Sequence, residues 1–203
     1  VVGAGFLNAV HLTGRDISLV KVVCSGAGAA AIACLDMLLD LGVQRENVYV
    51  CDSRGVLTTD RELTDEKRAW AQNTTAKTLS DVIGMADVFL GLSGPGLLKQ
   101  EDVQKMAAKP IVFALANPEP ELRPELVREV APDAIIATGR SDYPNQINNA
   151  LCFPYLFRAA LDSSATTINQ PMKRACVIAL SEMARSDEHF GVEYIVPTLL
   201  DRR

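Results

Sequence analysis

Six consecutive residues, Gly26-Ala27-Gly28-Ala29-Ala30-Ala31, constrain this chain more than any other stretch. A Val-rich apolar run at 20–25 leads into them, a helical pattern at 29–41 leads out, and a second apolar run follows at 48–52. The order is strand, tight turn, helix, strand, and the turn spells G-x-G-x-x-A. Gly26 permits the tight turn, Gly28 lets a pyrophosphate come close to the backbone, and the small Ala31 lets the helix lie near the strand. The first N–H groups of the helix and its dipole then face the phosphates. Asp52 ends the second strand, where a carboxylate accepts from an adenine-ribose hydroxyl. This unit predicts a site for NAD or NADP. The glycine pattern taken alone also fits an Ala-rich packed turn that holds no ligand.

The same alternation continues downstream. Short runs rich in Val, Ile and Phe at 87–92, 111–116 and 134–138 read as further buried parallel strands. Helical patterns occupy 61–72, 78–85, 100–107 and 124–130, with Pro124 at a first helical turn, where its missing N–H costs nothing. Gly42 stands where a left-handed C-terminal cap belongs. Two longer helices are predicted at 145–162 and 170–185, with Pro154 kinking or breaking the first. The fold expected is α/β: a Rossmann-type doubly wound, mostly parallel sheet with helices on both faces. It forms a single domain over 1–203, divided into an N-terminal helix (1–18), a Rossmann core (19–140) and C-terminal helices with a tail (141–203).

Composition narrows the setting. Of the 203 residues, 48% are hydrophobic, enough to bury a sizeable core, and charges are interspersed. A formal charge of −5 gives no general attraction to nucleic acid or to an anionic membrane. No apolar run approaches the roughly 20 residues that span a bilayer. The first ten residues are apolar but carry no basic leader, so they read as a helix cut from a longer chain rather than a secretory signal. The tail at 196–203 likewise stops without a natural finish. Both flanks, 1–10 and 194–200, are expected to be sticky and to drive self-association, hence a homo-oligomer. Cys24, Cys34, Cys51, Cys152 and Cys176 form no C-x-x-C pair and read as buried, reduced thiols of a cytoplasmic protein. Neither His11 nor His189 is placed to activate one of them.

Several residue groups invite a functional reading and are better explained otherwise. Gly3-Ala4-Gly5-x-x-Asn8 loosely repeats the glycine spacing, but no strand precedes it, so it reads as close helix packing. Asp36 and Asp40 lie one helical turn apart, yet Ile32, Leu35, Leu38 and Leu39 take the inward face and leave both on a wet one. Asp142-Tyr143 reads as structural, and the acidic run 60–66 as a solvated helix start. The choice of cofactor stays open. Asp52 favours NAD, because a carboxylate repels a 2′-phosphate. Ser53, Arg54 and Lys67 offer a hydroxyl, a guanidinium and an amine that could surround that phosphate, although the two cations could also be plain surface charges.

Four stretches carry a family likeness: VVCSGAGAAAIAC at 22–34, YVCDSRG at 49–55, VFALANPEPE at 112–121 and ATGRSDYPNQINN at 137–149. Together they resemble the cofactor-binding domain of malic enzymes, most of all the large bacterial NADP-dependent form with a phosphotransacetylase-like C-terminal domain. The resemblance implies oxidative decarboxylation of malate to pyruvate and CO2 with reduction of NADP (NAD being possible). It implies a divalent metal, Mg or Mn, polarising the C2 oxygen, with a Lys and a Tyr moving protons. In the family those groups precede the point matching Val1, so the expected chain is the cofactor half, inactive alone, with no catalytic or metal-binding residue of its own. Its partners would be an N-terminal malic domain and a phosphotransacetylase-like domain. By motif, Gly26, Ala27, Gly28, Ala29 and Ala30 match the pyrophosphate loop, and Asp52, Ser53 and Arg54 the adenosine-side contacts. Asn117 and Asn148 match two Asn near the nicotinamide and substrate. Amides can bond a carboxamide or carboxylate without adding charge beside a hydride path. Read without the family, Asn117-Pro118 is equally a turn and Asn148 equally a helix-start residue. Two rival readings remain at this point. One is the corresponding domain of another two-domain dehydrogenase, of amino-acid or methylenetetrahydrofolate type; the other is a non-catalytic nucleotide-binding module.

Overall fold

The computed structural model describes residues 1–84 and 86–201. The predicted helix end at Met85 and the last two tail residues, Arg202 and Arg203, lie outside the described residues. Six strands, β1 (Val22–Ser25), β2 (Val48–Asp52), β3 (Gly55–Val56), β4 (Val88–Gly91), β5 (Ile111–Ala114) and β6 (Ile135–Thr138), form one sheet in the order β3-β2-β1-β4-β5-β6. All neighbours pair in parallel except β2 and β3, which form an antiparallel hairpin. The build direction therefore reverses on either side of β1, and a ligand cleft belongs at the strands' carboxyl ends there.

The helices are α1 (Val2–Thr13), α2 (Ala29–Asp40), α3 (Asp65–Arg68), α4 (Leu79–Val82), α5 (Gln100–Val103), α6 (Pro124–Val130), α7 (Tyr155–Asp162) and α8 (Gln170–Arg185). Strand residues alternate between two cores. Val22, Cys24, Val88, Leu90, Ile111 and Phe113 pack with Phe6, Val10, Leu35 and Leu38 of α1 and α2. Val23, Phe89, Val112 and Ala114 pack with Leu98, Val103 and Val127 on the opposite face. Helices thus cover both faces, as the alternating runs predict. The last turn of α2 is closed as expected. Gly42, at φ 117°, and Val43 donate to the Leu39 and Leu38 carbonyls at 3.0 and 3.1 Å.

Five elements differ: the helices expected over 78–85 and 100–107 are, among the described residues, only α4 and α5 of four residues each, and three more differ as follows. The helix expected over 61–72 shrinks to α3. The segment lacks an apolar stripe, and its carbonyls are drawn elsewhere: Arg45 donates to Ala69 O and Ala71 O, while Trp70 is buried. The helix expected from 145 begins only at Tyr155. Asn145 takes φ 56°, and Ile147 N bonds Thr138 O, extending the strand's ladder instead. Hairpin strand β3 was not expected at all.

The flanks expected to be sticky are largely packed away. Phe6, Ala9, Val10, Ile195 and Val196 are buried, and α1 lies against α8. Gly3 and Gly5 allow this closeness: a Cβ on Gly3 would sit 3.1 Å from Val177, and one on Gly5 3.1 Å from Ile147. The second glycine run is therefore helix packing. Asn8, fully buried, joins the layers. Its Nδ2 donates to Ser181 O and Ile195 O at 3.1 and 2.8 Å, and its Oδ1 accepts from Ser181 Oγ and Arg185 Nε at 2.8 and 2.6 Å. Exposed apolar side chains remain at Leu199 and Leu200 in the tail, and others lie at Leu19, Leu97 and, around α7, at Phe153, Tyr155, Phe157 and Leu161. Among the described residues, no helix is long and apolar enough to cross a membrane.

Asn8→Ala would strand two buried carbonyls and cost about 1–3 kcal/mol for each such group. Urea unfolding should show that loss in midpoint without a change of slope; an unchanged midpoint would refute the role.

Candidate functional site

The cleft lies where β1 hands over to α2. Gly26 leaves β1 at φ 121°, donates to Cys51 O at 2.8 Å, and passes so close to β4 that a Cβ would lie 2.5 Å from Leu92 O. Only glycine fits there. Gly28 is different. A Cβ on it would meet nothing within 4 Å, so protein packing does not require a glycine at this position. The open space beside it would admit a group that approaches the backbone closely. Helix α2 has no side-chain cap and no acid in its first turn, where Ala29 and Ala30 are exposed. Its unpartnered first N–H groups and positive dipole end suit an anion. A cleft of about 690 Å³ opens here, lined by Gly26, Ala27, Gly28, Asp52, Ser53, Lys67, Ser93 and Leu97 among others. A dinucleotide fits this cradle.

Asp52 is more elaborately held than its position in the sequence reveals. Arg61 Nη2 bridges both its oxygens at 2.9 and 3.1 Å, Lys67 Nζ bonds Oδ2 at 3.0 Å, and the Arg54 N–H bonds Oδ1 at 2.9 Å. These bonds fill about four acceptor positions, the full capacity of a carboxylate. Burial opposes its charge, but the Arg61 and Lys67 hydrogen bonds outweigh that and hold the carboxyl below its usual value of 3.8. Ser53 and Arg54 form the exposed tip of the β2–β3 hairpin. Gly55 follows at φ 104°, where a Cβ would collide with Lys77 O. On the outer side of the hairpin a second hollow of about 370 Å³ gathers Arg54, Arg61, Lys77 and Thr58.

The structure does not gather every predicted residue into the main cleft. Ala29, Ala30, Arg54, Asn117 and Asn148 are not among its lining residues. Asn117 is exposed in the loop after β5, with its amide over Gly139, where a Cβ would lie 2.8 Å from Nδ2. Asn148 caps a single helical turn, accepting from Ala150 N at 3.0 Å. Both stand beyond carboxyl ends of strands, β5 and β6. Asn145 in the same run is the locking residue: it donates to Ile136 O and Val192 O and accepts from Ile195 N.

Arg61 and Glu121 escaped the sequence reading. Arg61 sits in a charged run whose composition reads as a wet surface. Glu121 lies within VFALANPEPE, so its motif was visible but its burial was not. Asp142 and Tyr143 serve structure, bonding Arg140 and Glu125 at 2.8 Å each. Asp40 is half-buried beside Arg174, and the wet face expected of it is confined to Asp36.

All five cysteines are free, but only Cys24 and Cys51 are buried, not all five as expected. Burial pushes Cys51 up to about 12, with the Asp52 charge adding to the shift. Cys152 and Cys176 are adjacent and half-exposed, and a hydrogen bond from the Cys176 thiol draws Cys152 down to about 6.

The depressed Asp52 carboxyl stabilises the fold fully above the unfolded value near 3.8, and that contribution is lost as pH falls through the lower folded value. Asp52→Asn should therefore be less stable than the unaltered chain at pH 7, with the gap closing as pH falls from 3.8 through the lower folded value. A gap independent of pH in thermal melts would contradict this.

Comparison with known proteins agrees with this geometry. The family model described as "Malic enzyme, NAD binding domain" matches residues 1–203. An NADP-dependent malic enzyme of Salmonella typhimurium is 51% identical across 98% of this chain and 28% of its own length. An NAD-dependent malic enzyme of Rhizobium meliloti is 49% identical, across 100% of this chain and 28% of its own. The crystal structure of an NAD-dependent malic enzyme from Thermotoga maritima superposes with a TM-score of 0.88 at 41% identity, covering 98% of this chain and 53% of that one. The chain spans under a third of the length of the first two relatives. Because the family model covers the whole chain, the chain belongs to the malic enzyme NAD-binding domain family.

Proposed function

We propose that this chain is the NADP-binding part of an enzyme that oxidatively decarboxylates malate to pyruvate and CO2. The observation that carries the choice of NADP is the state of Asp52. A bare carboxylate at the end of β2 would repel a 2′-phosphate and bond a ribose diol. Here Arg61 and Lys67 neutralise it and occupy its acceptors. Ser53 and Arg54 are exposed at the adjacent hairpin tip. Arg54, Arg61 and Lys77 line the second hollow with a single acid, Asp60, a net positive set that would suit a phosphate. In this reading Ser53, Arg54 and Lys67 hold the adenosine end.

The bound dinucleotide would supply the hydride acceptor. The chain's own part is binding and orientation. The turn at Gly26, Ala27 and Gly28 with the N–H groups of Ala29 and Ala30 receives the pyrophosphate. The amides of Asn117 and Asn148 serve the nicotinamide and substrate end without adding charge. Among the described residues, no three His, Cys, Asp or Glu side chains converge to hold a metal. The Mg or Mn ion that malate chemistry calls for does not fit a site in these residues, and no step is assigned to one here. The proton-moving groups, the metal ligands and the further domains belong, in this proposal, to the larger protein. Self-association is part of the same proposal, supported by the exposed Phe153, Tyr155, Phe157 and Leu161.

Calorimetric titration should show NADP binding more tightly than NAD. Arg54→Ala should weaken NADP about three- to tenfold and leave NAD nearly unchanged. Equal losses for both cofactors would remove Arg54 from the phosphate site. The purified chain with NADP, malate and Mn²⁺ should produce no absorbance at 340 nm, and steady NADPH formation would disprove the assignment of the chemistry to groups outside it.

A further inference from the structure

Glu121 is the one completely buried carboxylate residue in the core, at 0% exposure, and among the described residues no cation pairs with it. Leaving an ionised carboxylate unpaired in the interior is costly unless hydrogen bonds replace its water. They do: Oε1 accepts from Ser93 N at 3.0 Å and from Ser93 Oγ at 3.3 Å, and Oε2 accepts from Ala116 N at 3.1 Å. The sheet makes room for it. A Cβ on Gly91, the last residue of β4, would lie 2.4 Å from the Glu121 carboxyl carbon.

The bonded groups are not scattered. Ser93 lies two residues beyond β4 and lines the main cleft. Ala116 lies two residues beyond β5 and immediately precedes Asn117. Ser93 Oγ is 2.8 Å from Ser25 Oγ, and Ser25 ends β1 just before Gly26. Because the carboxylate only accepts, Ser93 Oγ–H must donate to it, which leaves Ser25 Oγ–H to donate to Ser93. One buried charge therefore ties the carboxyl ends of β1, β4 and β5 together beneath the cleft. The adenosine side, formed by β2 and β3, is outside this network and has its own anchor in Asp52.

We infer that Glu121 is a positioning residue: it presets the loops after β4 and β5, and with them Ser93 and Asn117, for the nicotinamide half of the cofactor. The inference rests on the dinucleotide reading above. The network specifies a carboxylate rather than an amide. Both oxygens receive backbone N–H groups, so a Gln must turn an NH2 toward one donor and release one of the two loops.

The test compares two ligands on the full chain and on Glu121→Gln. NADP carries both halves of the cofactor; adenosine 2′,5′-bisphosphate lacks the nicotinamide half. Glu121→Gln should weaken NADP about tenfold and the bisphosphate less than about twofold. A general loosening of the fold would weaken both alike, and equal losses, or none, overturn the inference. Hydrogen exchange on the unaltered chain gives a second reading that needs no variant. The Ser93 and Ala116 amides should be protected before any ligand is added; protection that appears only with NADP would overturn presetting. If the unaltered chain binds no NADP or NAD, the cofactor reading fails and takes this inference with it. If it binds but the two ligands suffer alike, only this inference fails.

Discussion

The cleft exists because β1 is paired on both edges. β1 aligns in register with β2 on one side and β4 on the other, Val22 facing both Val48 and Val88. Parallel neighbours on both sides send their connections away in opposite directions, so a gap opens at the carboxyl end of β1. Gly26 turns the chain within that gap, pinned by its N–H to Cys51 O and by the nearness of Leu92 O. The start of α2 can point nowhere else, and its dipole is delivered to the cleft by sheet pairing rather than by any charged side chain.

Two carboxylates then divide the work of shaping the cleft, and their partners define their roles. Asp52, at the rim, is held by Arg61 and Lys67 and so presents a site whose local charge is no longer negative. Glu121, in the interior, is held by N–H groups and a hydroxyl. At the rim the partners of Asp52 include two long side chains, which have rotamers to spare. The interior network has no such freedom. Two of its three donors are backbone N–H groups, so its strength is spent on loop position.

The remaining groups around the cleft suit holding a ligand. The chain spans only part of its relatives, and its described residues supply backbone N–H groups, amides and cations around a cleft. Those are groups that hold and orient. The extra apolar surface near α7, with Phe153 set edge-on to Phe157 at 5.2 Å, lies apart from the cleft-lining residues.

Local patterning determined much of this protein. The alternation of apolar runs with helical patterns predicted five of the six strands and the doubly wound arrangement, because buried parallel strands must be apolar on both faces. Gly26, Gly28 and Gly42 were legible because backbone geometry leaves few substitutes for glycine. That most of 61–72 and all of 145–154 lie outside the α-helices was not legible. Their course depends on Arg45 taking distant carbonyls and on Asn145 bonding Ile136, Val192 and Ile195, contacts between residues far apart in the chain. The same holds for the site. The sequence named Asp52, but only the tertiary structure showed its acceptors filled by Arg61 and Lys67. It named the motif around Asn117, but only the packed sheet revealed Glu121 buried beneath it. Spacing along a chain encodes local backbone geometry; which charge meets which partner is decided when the layers close.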